Sequence, residues 1–235
     1  MQRYLQQITV PEIGTAGQQQ LSAAKVLVIG AGGLGTPVAV YLAAAGVGTI
    51  GIADGDRIAV TNLHRQFLYT EKETGQLKAT ILSAKLQEQN PGVHIIAHTD
   101  MMKEVNAVHI INQYDIVCDC TDNADARILI NKTCGQLKKP LVYAVVKDWE
   151  AYITVLHHTK KITLAAIFSL QALKKNEALN CSVAGIVNTT CGIAASVQAA
   201  ETIKIIIGMP SALDGGILCI DARLPLFKLL QLQTL

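Results

Sequence analysis

The sequence predicts an α/β fold, a doubly wound and mainly parallel sheet with antiparallel strands at its C-terminal end. Three observations predict it. Short unbroken aliphatic runs alternate with helical stretches, the pattern of a parallel sheet covered on both faces. Runs such as Lys25–Ile29 lack polar alternation, as strands without a solvent face do. Beyond Val146 the alternation changes, and Ile217–Ile220 with Leu226–Leu232 form a terminal strand pair.

The elements follow in order. Residues 1–24 are a polar lead-in, read as a helix or arm. Lys25–Ile29 is the first strand, a glycine-rich turn follows, and Thr36–Ala45 is an apolar helix ended by Gly46 and Gly48. Thr49–Ala53 is a second strand. Lys78–Gln89 is an amphipathic helix stopped by Asn90, Pro91 and Gly92. Val93–His98 is a strand, Met102–Ile111 a helix, Asp115–Cys120 a strand, Ala124–Leu137 a helix and Leu141–Val146 a strand. Ala151–His157 reads as a strand and Gly192–Ile207 as a long helix closed by Gly208 and Pro210. With no internal repeat and no low-complexity linker, residues 1–235 are expected to form one domain with an N-terminal arm at 1–24.

Composition narrows the function. The 235 residues are 50% hydrophobic and 16% charged, against about 25% charged in an average soluble domain, which excludes disorder. A net charge of +2 offers no field for a polyphosphate backbone, so nucleic acid is not an expected partner. Val26–Ala53 and Ala178–Ala200 carry no charge and exceed the ~18–20 residues of a bilayer span. Glycines at 30, 32, 33, 35, 46, 48 and 51 interrupt the first, and Asn180, Ser182, Asn188, Thr189, Thr190 and Gln198 the second. No membrane span is expected. No secretory signal is visible at the N-terminus, so the six cysteines read as free thiols of a cytoplasmic protein. Cys118, Cys120, Cys134 and Cys219 lie in apolar runs and read as packing residues. No C-x-x-C pair occurs and no zinc site is expected. His94 and His98 read as solvated strand histidines rather than a metal pair.

The chemistry concentrates around the turn. Gly30-Ala31-Gly32-Gly33-Leu34-Gly35 follows a strand and opens a helix. Glycines there let backbone N–H groups approach a phosphate at the helix N-terminus. Asp54 ends the second strand some 20 residues on, the place of an acid that binds ribose hydroxyls. This is a Rossmann-like nucleotide crevice, and these features alone leave NAD, FAD and ATP open. Asp56, Asn62, Arg65, Gln66 and Lys78 follow, then Asp119-Cys120-Thr121-Asp122-Asn123 after the fourth strand. An Arg and a Lys converging on the same phosphates suit cleavage between α- and β-phosphates, where cations neutralise growing negative charge. A carboxylate at a strand's C-terminal end suits Mg²⁺ bridging phosphate oxygens.

The chain resembles the bacterial ubiquitin-activating-enzyme-like adenylyltransferases, the ThiF, MoeB and HesA group, from Arg3 to about Asp221. The residues that carry the resemblance are Arg3-Tyr4, the segment 14–20, Gly30–Gly35, Tyr41–Gly48, Asn62–Gln66, Cys120–Asn123, Ala184-Gly185-Ile186 and Gln198–Glu201, in the family's order. Gly35-Thr36-Pro37 and Asn180-Cys181 are slightly closer to the thiamine-pathway, ThiF-like branch. The resemblance implies ATP- and Mg²⁺-dependent adenylation of the C-terminal carboxylate of a small ubiquitin-fold sulfur carrier (ThiS- or MoaD-like), by a homodimer. It implies a cofactor site of Gly30, Gly32, Gly33, Gly35, Asp54, Asp56, Asn62, Arg65, Gln66, Lys78, Asp122 and Asn123. Gly33 then lies by the phosphates and Asp54 on the ribose. Asn62 and Arg65 contact phosphates, Lys78 stabilises the transition state and Asp122 carries Mg²⁺. Arg65, Lys78, Asp122 and Cys181 form the catalytic set, Cys181 as a nucleophile or sulfur-transfer thiol; the alternative for Cys181 is a free thiol without a role.

Two departures stand out. The family's N-terminal R-Y-x-R-Q motif, whose second arginine reaches the partner subunit's ATP, reads Arg3-Tyr4-Leu5-Gln6-Gln7 here. The zinc-binding cysteine pairs are absent, so Leu164, Ile167, Phe168 and Leu170 are expected to hold the crossover segment by packing. Lys160, Lys161, Lys174 and Lys175 are candidates to meet an acidic carrier face, or form a solvated basic surface. Two other functions stay open: a catalytically impaired scaffold that binds nucleotide or a ubiquitin-fold partner, and, more remotely, an NAD-dependent oxidoreductase.

Overall fold

The computed structural model describes residues 2–169 and 185–232. Its strands are β1 Lys25–Ile29, β2 Thr49–Ala53, β3 His94–His98, β4 Ile116–Asp119, β5 Leu141–Lys147, β6 Glu150–Leu156, β7 Gly216–Asp221 and β8 Leu226–Gln231. They form one sheet in the order β3-β2-β1-β4-β5-β6-β7-β8. The pairs β3·β2, β2·β1, β1·β4 and β4·β5 are parallel, and the last three pairs are antiparallel. The helices are α1 Leu5–Ile8, α2 Gly14–Ala23, α3 Gly35–Ala45, α4 Lys78–Gln89, α5 Glu104–Asn112, α6 Ala124–Leu137, α7 Leu164–Ile167 and α8 Asn188–Ile206.

The aliphatic strands fill two cores. Successive side chains of β1 point to opposite faces, so Val26 and Val28 join Leu42, Ile50 and Leu82 on one side. Leu27 and Ile29 join Ile111, Ile130 and Leu156 on the other. The chain runs β1, β2, β3 toward one edge, then returns to place β4 on the far side of β1. Ligands in open α/β sheets bind at such a reversal, beyond the strands' C-terminal ends.

Several boundaries differ from the sequence reading. Helix α8 begins at Asn188 rather than Gly192; Thr190 and Cys191 are buried, and that packing outweighs the weak helix propensity of Asn and Thr. Strand β6 stops at Leu156 because His157 takes a left-handed conformation (φ 55°). His94 is solvated as expected, but His98 is half-buried and its Nε2 meets the Tyr114 hydroxyl at 2.7 Å. Cys118, Cys120 and Cys134 are packing residues, whereas Cys219 is only partly covered. No helix among the described residues is long and apolar enough to cross a membrane.

The polar lead-in docks at the far end of the α3 and α4 helices. Arg3 donates to the Gln89 carbonyl at 3.1 Å. Asn90 donates to the Tyr4 hydroxyl at 2.8 Å and to Ala43 at 2.7 Å, and Gln7 and Gln18 both donate to Ala45. Lys78 opens α4 and Gln89 closes it, a separation of about 17 Å at 1.5 Å per residue. Arg3 therefore lies at the end of α4 remote from Lys78 of its own chain.

The first part of the crossover segment is held by packing and also by polar contacts the sequence did not reveal. Leu164 is fully buried, and Ile167 and Phe168 pack on the same core. Leu170 lies outside the described residues, as do Lys174 and Lys175. Asn131 Oδ1 accepts from the Leu164 N–H at 3.0 Å and pairs with His157 Nε2 at 2.8 Å, which places the imidazole proton on Nε2. The buried Asp214 carboxylate accepts from the N–H groups of Thr159 at 3.1 Å and Lys160 at 3.2 Å.

Burial lowers the His157 pKa from its ordinary 6.5, against a smaller opposing effect of Asn131. The fold thus favours the neutral ring, and the stability it contributes is complete above about pH 6.5 and lost as pH falls through the lowered value. His157→Gln, which keeps an N–H donor, is expected to lose less stability than wild type between pH 7 and pH 5 in urea unfolding. Parallel pH profiles would remove this role, since His98, also lowered by burial, titrates in both proteins.

Candidate active site

The crevice opens where β1, β2 and β4 end. Gly30 continues the ladder by donating to Ala53 at 2.8 Å, then turns at φ 97°. A Cβ on Gly30 would stand 2.7 Å from the Cys120 carbonyl oxygen, and one on Gly35 would stand 1.7 Å from the Gly30 oxygen. These two glycines therefore let the loop pass between β4 and the start of α3. Gly30, Gly32 and Gly33 line the crevice, whereas Gly35 does not. Gly35 opens α3 and packs against the Gly30 carbonyl.

Asp54 does something the motif did not specify. Its Oδ2 accepts from the Ala31 N–H at 2.6 Å and its Oδ1 from the Asp56 N–H at 2.7 Å. The carboxylate thus ties the glycine loop to the turn after β2, and ribose hydroxyls would use its remaining lone pairs. Burial raises its pKa, opposed by the Ala31 amide and by Lys78. The Ala31 carbonyl accepts in turn from the Tyr69 hydroxyl at 2.9 Å and from Thr36 Oγ1 at 3.2 Å, so the loop is fixed from three directions.

Arg65 and Lys78 line the same crevice. Lys78, nearly buried at the N-terminus of α4, places Nζ 3.1 Å from Asp56 Oδ2, and its own N–H donates to the Asp56 carbonyl at 3.0 Å. The Arg65 stem lies over Gly33, with Cγ 3.0 Å from where a Cβ would be. Asn62 and Arg65 line the crevice, as does Gln66, which is buried with Oε1 unpartnered. Across from them, Asp122 lines the crevice from the loop after β4 with an exposed side chain. Asn123 also lines it, but its Oδ1 caps α6 by accepting from the Ala126 N–H at 2.8 Å.

Cys181 lies outside the described residues. A different thiol, Cys191, lines the crevice; burial raises its pKa to about 11 despite the nearby Arg65, so it is a protonated wall at neutral pH. The wall also includes Met101, Met102, Ala126, Arg127, Val146 and Ile186. Ile186 reaches it because the segment 185–187 pairs with Asp148 at the β5–β6 turn, where the Asp148 N–H donates to Gly185 at 3.0 Å. No spacing rule marks these residues; Ala126 and Arg127, in the first turn of α6, had positions that topology would bring to the crevice.

Comparison with known proteins agrees with this arrangement. The profile described as "ThiF family" matches residues 4–234. A Thermus thermophilus protein named sulfur carrier protein adenylyltransferase is 36% identical, over 99% of this chain and 88% of its own length. The adenylyltransferase and sulfurtransferase MOCS3 of Culex quinquefasciatus is 42% identical over 98% of this chain and 52% of its own length. That of Caenorhabditis briggsae is 40% identical over 94% and 55%, so the chain spans about half the length of these relatives. Among solved structures, Escherichia coli MccB with MccA-N7isoASN superposes with a TM-score of 0.82 at 23% identity, over 94% of this chain and 67% of that one. PaaA gives the same TM-score at 19% identity, over 100% and 74%, and both share the fold. With the profile covering nearly every residue and the crevice built from the family's own motifs, the chain belongs to the ThiF family.

Proposed function

We propose that this protein is one adenylation domain that uses ATP to adenylate the C-terminal carboxylate of a small ubiquitin-fold sulfur carrier. The observation that carries this reading is the convergence of Arg65 and Lys78 on a glycine loop whose opposite wall presents Asp122. A nicotinamide enzyme has no need of two cations on the same phosphates. The names of the T. thermophilus and MOCS3 relatives support the same reaction.

In this reading the loop N–H groups at Gly32 and Gly33 and the N-terminus of α3 receive phosphate oxygens, while the Gly30 N–H stays bonded to the Ala53 carbonyl. Asp54 takes the ribose, and Asn62, Arg65 and Gln66 border the triphosphate. The carrier's carboxylate oxygen attacks the α-phosphorus, the bond to the bridging α–β oxygen breaks, and pyrophosphate leaves with that electron pair. The product is an acyl-adenylate. No general base is required, because a terminal carboxylate is ionised at neutral pH. Lys78, held ready by Asp56, stabilises the charge that grows on the transferring phosphorus. Asp122, with Asn123 beside it, is the residue that would hold Mg²⁺, which needs few protein carboxylates when phosphates supply its other ligands. When bound, the ion neutralises phosphate charge. Cys181 is the candidate acceptor thiol for the activated carrier.

The homodimer belongs to the same reading. The arm sits about 17 Å of helix away from its own Lys78, so an arm serving an active site serves a partner's. Lys160 and Lys161 are candidate carrier contacts, and thiols that are free among the described residues suit a cytoplasmic protein. Gln6 motivates a second reading, an impaired scaffold that binds nucleotide or carrier without turnover. ATP binding without carrier-stimulated exchange of labelled pyrophosphate would favour it.

Lys78→Ala and Asp122→Ala are each expected to reduce carrier-dependent pyrophosphate exchange by at least about 100-fold, with circular dichroism unchanged. Wild-type exchange in either variant would remove that residue's role. Tight NAD(H) binding without ATP binding would overturn the reading as a whole. Gly33→Ala tests the phosphate end separately. Its Cβ displaces the Arg65 stem, not backbone, so the fold is expected to persist while ATP affinity falls about tenfold, the worth of one charge-assisted hydrogen bond. Unchanged affinity by calorimetry would place the phosphates elsewhere.

A further inference from the structure

The loop after β4 contains a buried charge that the proposed reaction does not use. Asp119 closes β4 and is fully buried, an expensive place for a carboxylate. Its Oδ1 accepts from the Thr121 N–H at 3.0 Å and from the Thr121 hydroxyl at 2.7 Å, while Oδ2 is buried without a hydrogen-bond partner. Arg127 on α6 donates Nη2–H to the Thr121 carbonyl at 2.7 Å. Thr121 is therefore gripped at its N–H and hydroxyl by an acid and at its carbonyl by a guanidinium. From behind, fully buried Gln198 on α8 donates to the Asp119 carbonyl at 3.0 Å and the Val142 carbonyl at 2.8 Å. Asn123, two residues on, is fixed as the cap of α6. Asp122 is the residue between these two anchored neighbours, and it alone of the three extends an exposed side chain.

We propose that Asp119 is a positioning residue which, acting through Thr121 with Arg127 as its counter-charge, holds the Asp122 carboxylate on the phosphate side of the crevice. A neutral side chain would serve for turn geometry alone. The acid adds attraction for Arg127 and so loads both ends of the Thr121 residue together. Burial raises the Asp119 pKa above its ordinary value; Arg127 and the two Thr121 donors oppose that rise, and the neighbouring Asp122 charge adds to it. The inference rests on the reading of Asp122 given above.

The test compares ATP affinity with Mg²⁺ and with EDTA by calorimetry on the full chain, together with amide hydrogen exchange of Thr121–Asn123. Wild type is expected to bind ATP more tightly with Mg²⁺, and Asp122→Ala to lose that enhancement. Asp119→Asn is expected to cut the enhancement at least about tenfold, as supporting residues behind a metal ligand do. Its affinity in EDTA stays unchanged and its loop amides exchange faster. Asp119→Asn should add nothing in the Asp122→Ala background, because it acts through Asp122. Wild-type enhancement in Asp119→Asn, or effects that multiply in the double variant, would overturn the inference alone. A wild-type protein that does not bind ATP, or is indifferent to Mg²⁺, would overturn the functional reading and this inference with it. If Asp119→Asn does not fold, Thr121→Val removes only the hydroxyl donor, and a smaller change in the same direction is expected; wild-type enhancement and exchange there would be equally fatal.

Discussion

One carboxylate, Asp54, links the parts of the crevice that would otherwise move independently. It holds the N–H of Ala31 in the glycine loop and the N–H of Asp56 in the turn after β2. Asp56 in turn accepts from both the backbone and the ammonium of Lys78. The glycine loop, the start of α4 and the Lys78 ammonium are thus connected in one hydrogen-bonded chain. Charge-assisted bonds of this kind are stronger than neutral ones, and the partly buried setting shields them from screening. Preorganised groups stabilise developing charge without reorganising when the reaction occurs. Asp54 accordingly supports the site whether or not it also meets a ribose.

How much of this was legible in the sequence depends on the range of the interaction. Strands β1, β2 and β4 announced themselves because burial on both faces leaves an unbroken aliphatic run. The loop announced itself because only glycine fits beside the Cys120 and Gly30 carbonyls. Asp54, Asn62, Arg65, Gln66, Lys78 and Asp122 all line one crevice, as their motifs implied. Gly35 and Asn123 share the same motifs and also pack and cap, and a pattern does not separate a residue that touches ligand from one that shapes the backbone. Arg127 was not singled out, and Asp119 and Gln198 were read only as members of motifs, for a different reason. Their partners are set by how β4, α6 and α8 meet, and Gln198 bonds to a carbonyl 79 positions away.

The crossover segment shows the same lesson in energetic form. Packing alone was expected in place of the zinc-binding cysteine pairs that the family resemblance implied, and Leu164 and Phe168 do pack. Yet Asn131 and Asp214 each hold two sites on the segment. A metal ion concentrates its stabilisation in one cluster of ligands, whereas here several hydrogen bonds, each of about 1 kcal/mol, share the task with apolar burial. The segment's anchoring is therefore distributed, and its sensitivity to pH enters through His157.

The position of β1 at the centre of the sheet has a consequence for how the protein is made. Half of its neighbours are β2, close behind it in the chain, and half are β4, where the Asp115 carboxylate accepts from Lys25 across 90 residues. Translation at 5–20 residues per second puts β4 roughly 5 to 20 seconds behind β1. During that interval the glycine loop lacks the Cys120 carbonyl against which it closes, and one flank of a strand that is aliphatic from Val26 to Ile29 has no partner. The crevice is thus a late product of synthesis, and the nascent chain must keep its most apolar strand from pairing wrongly until the second half of the sheet emerges.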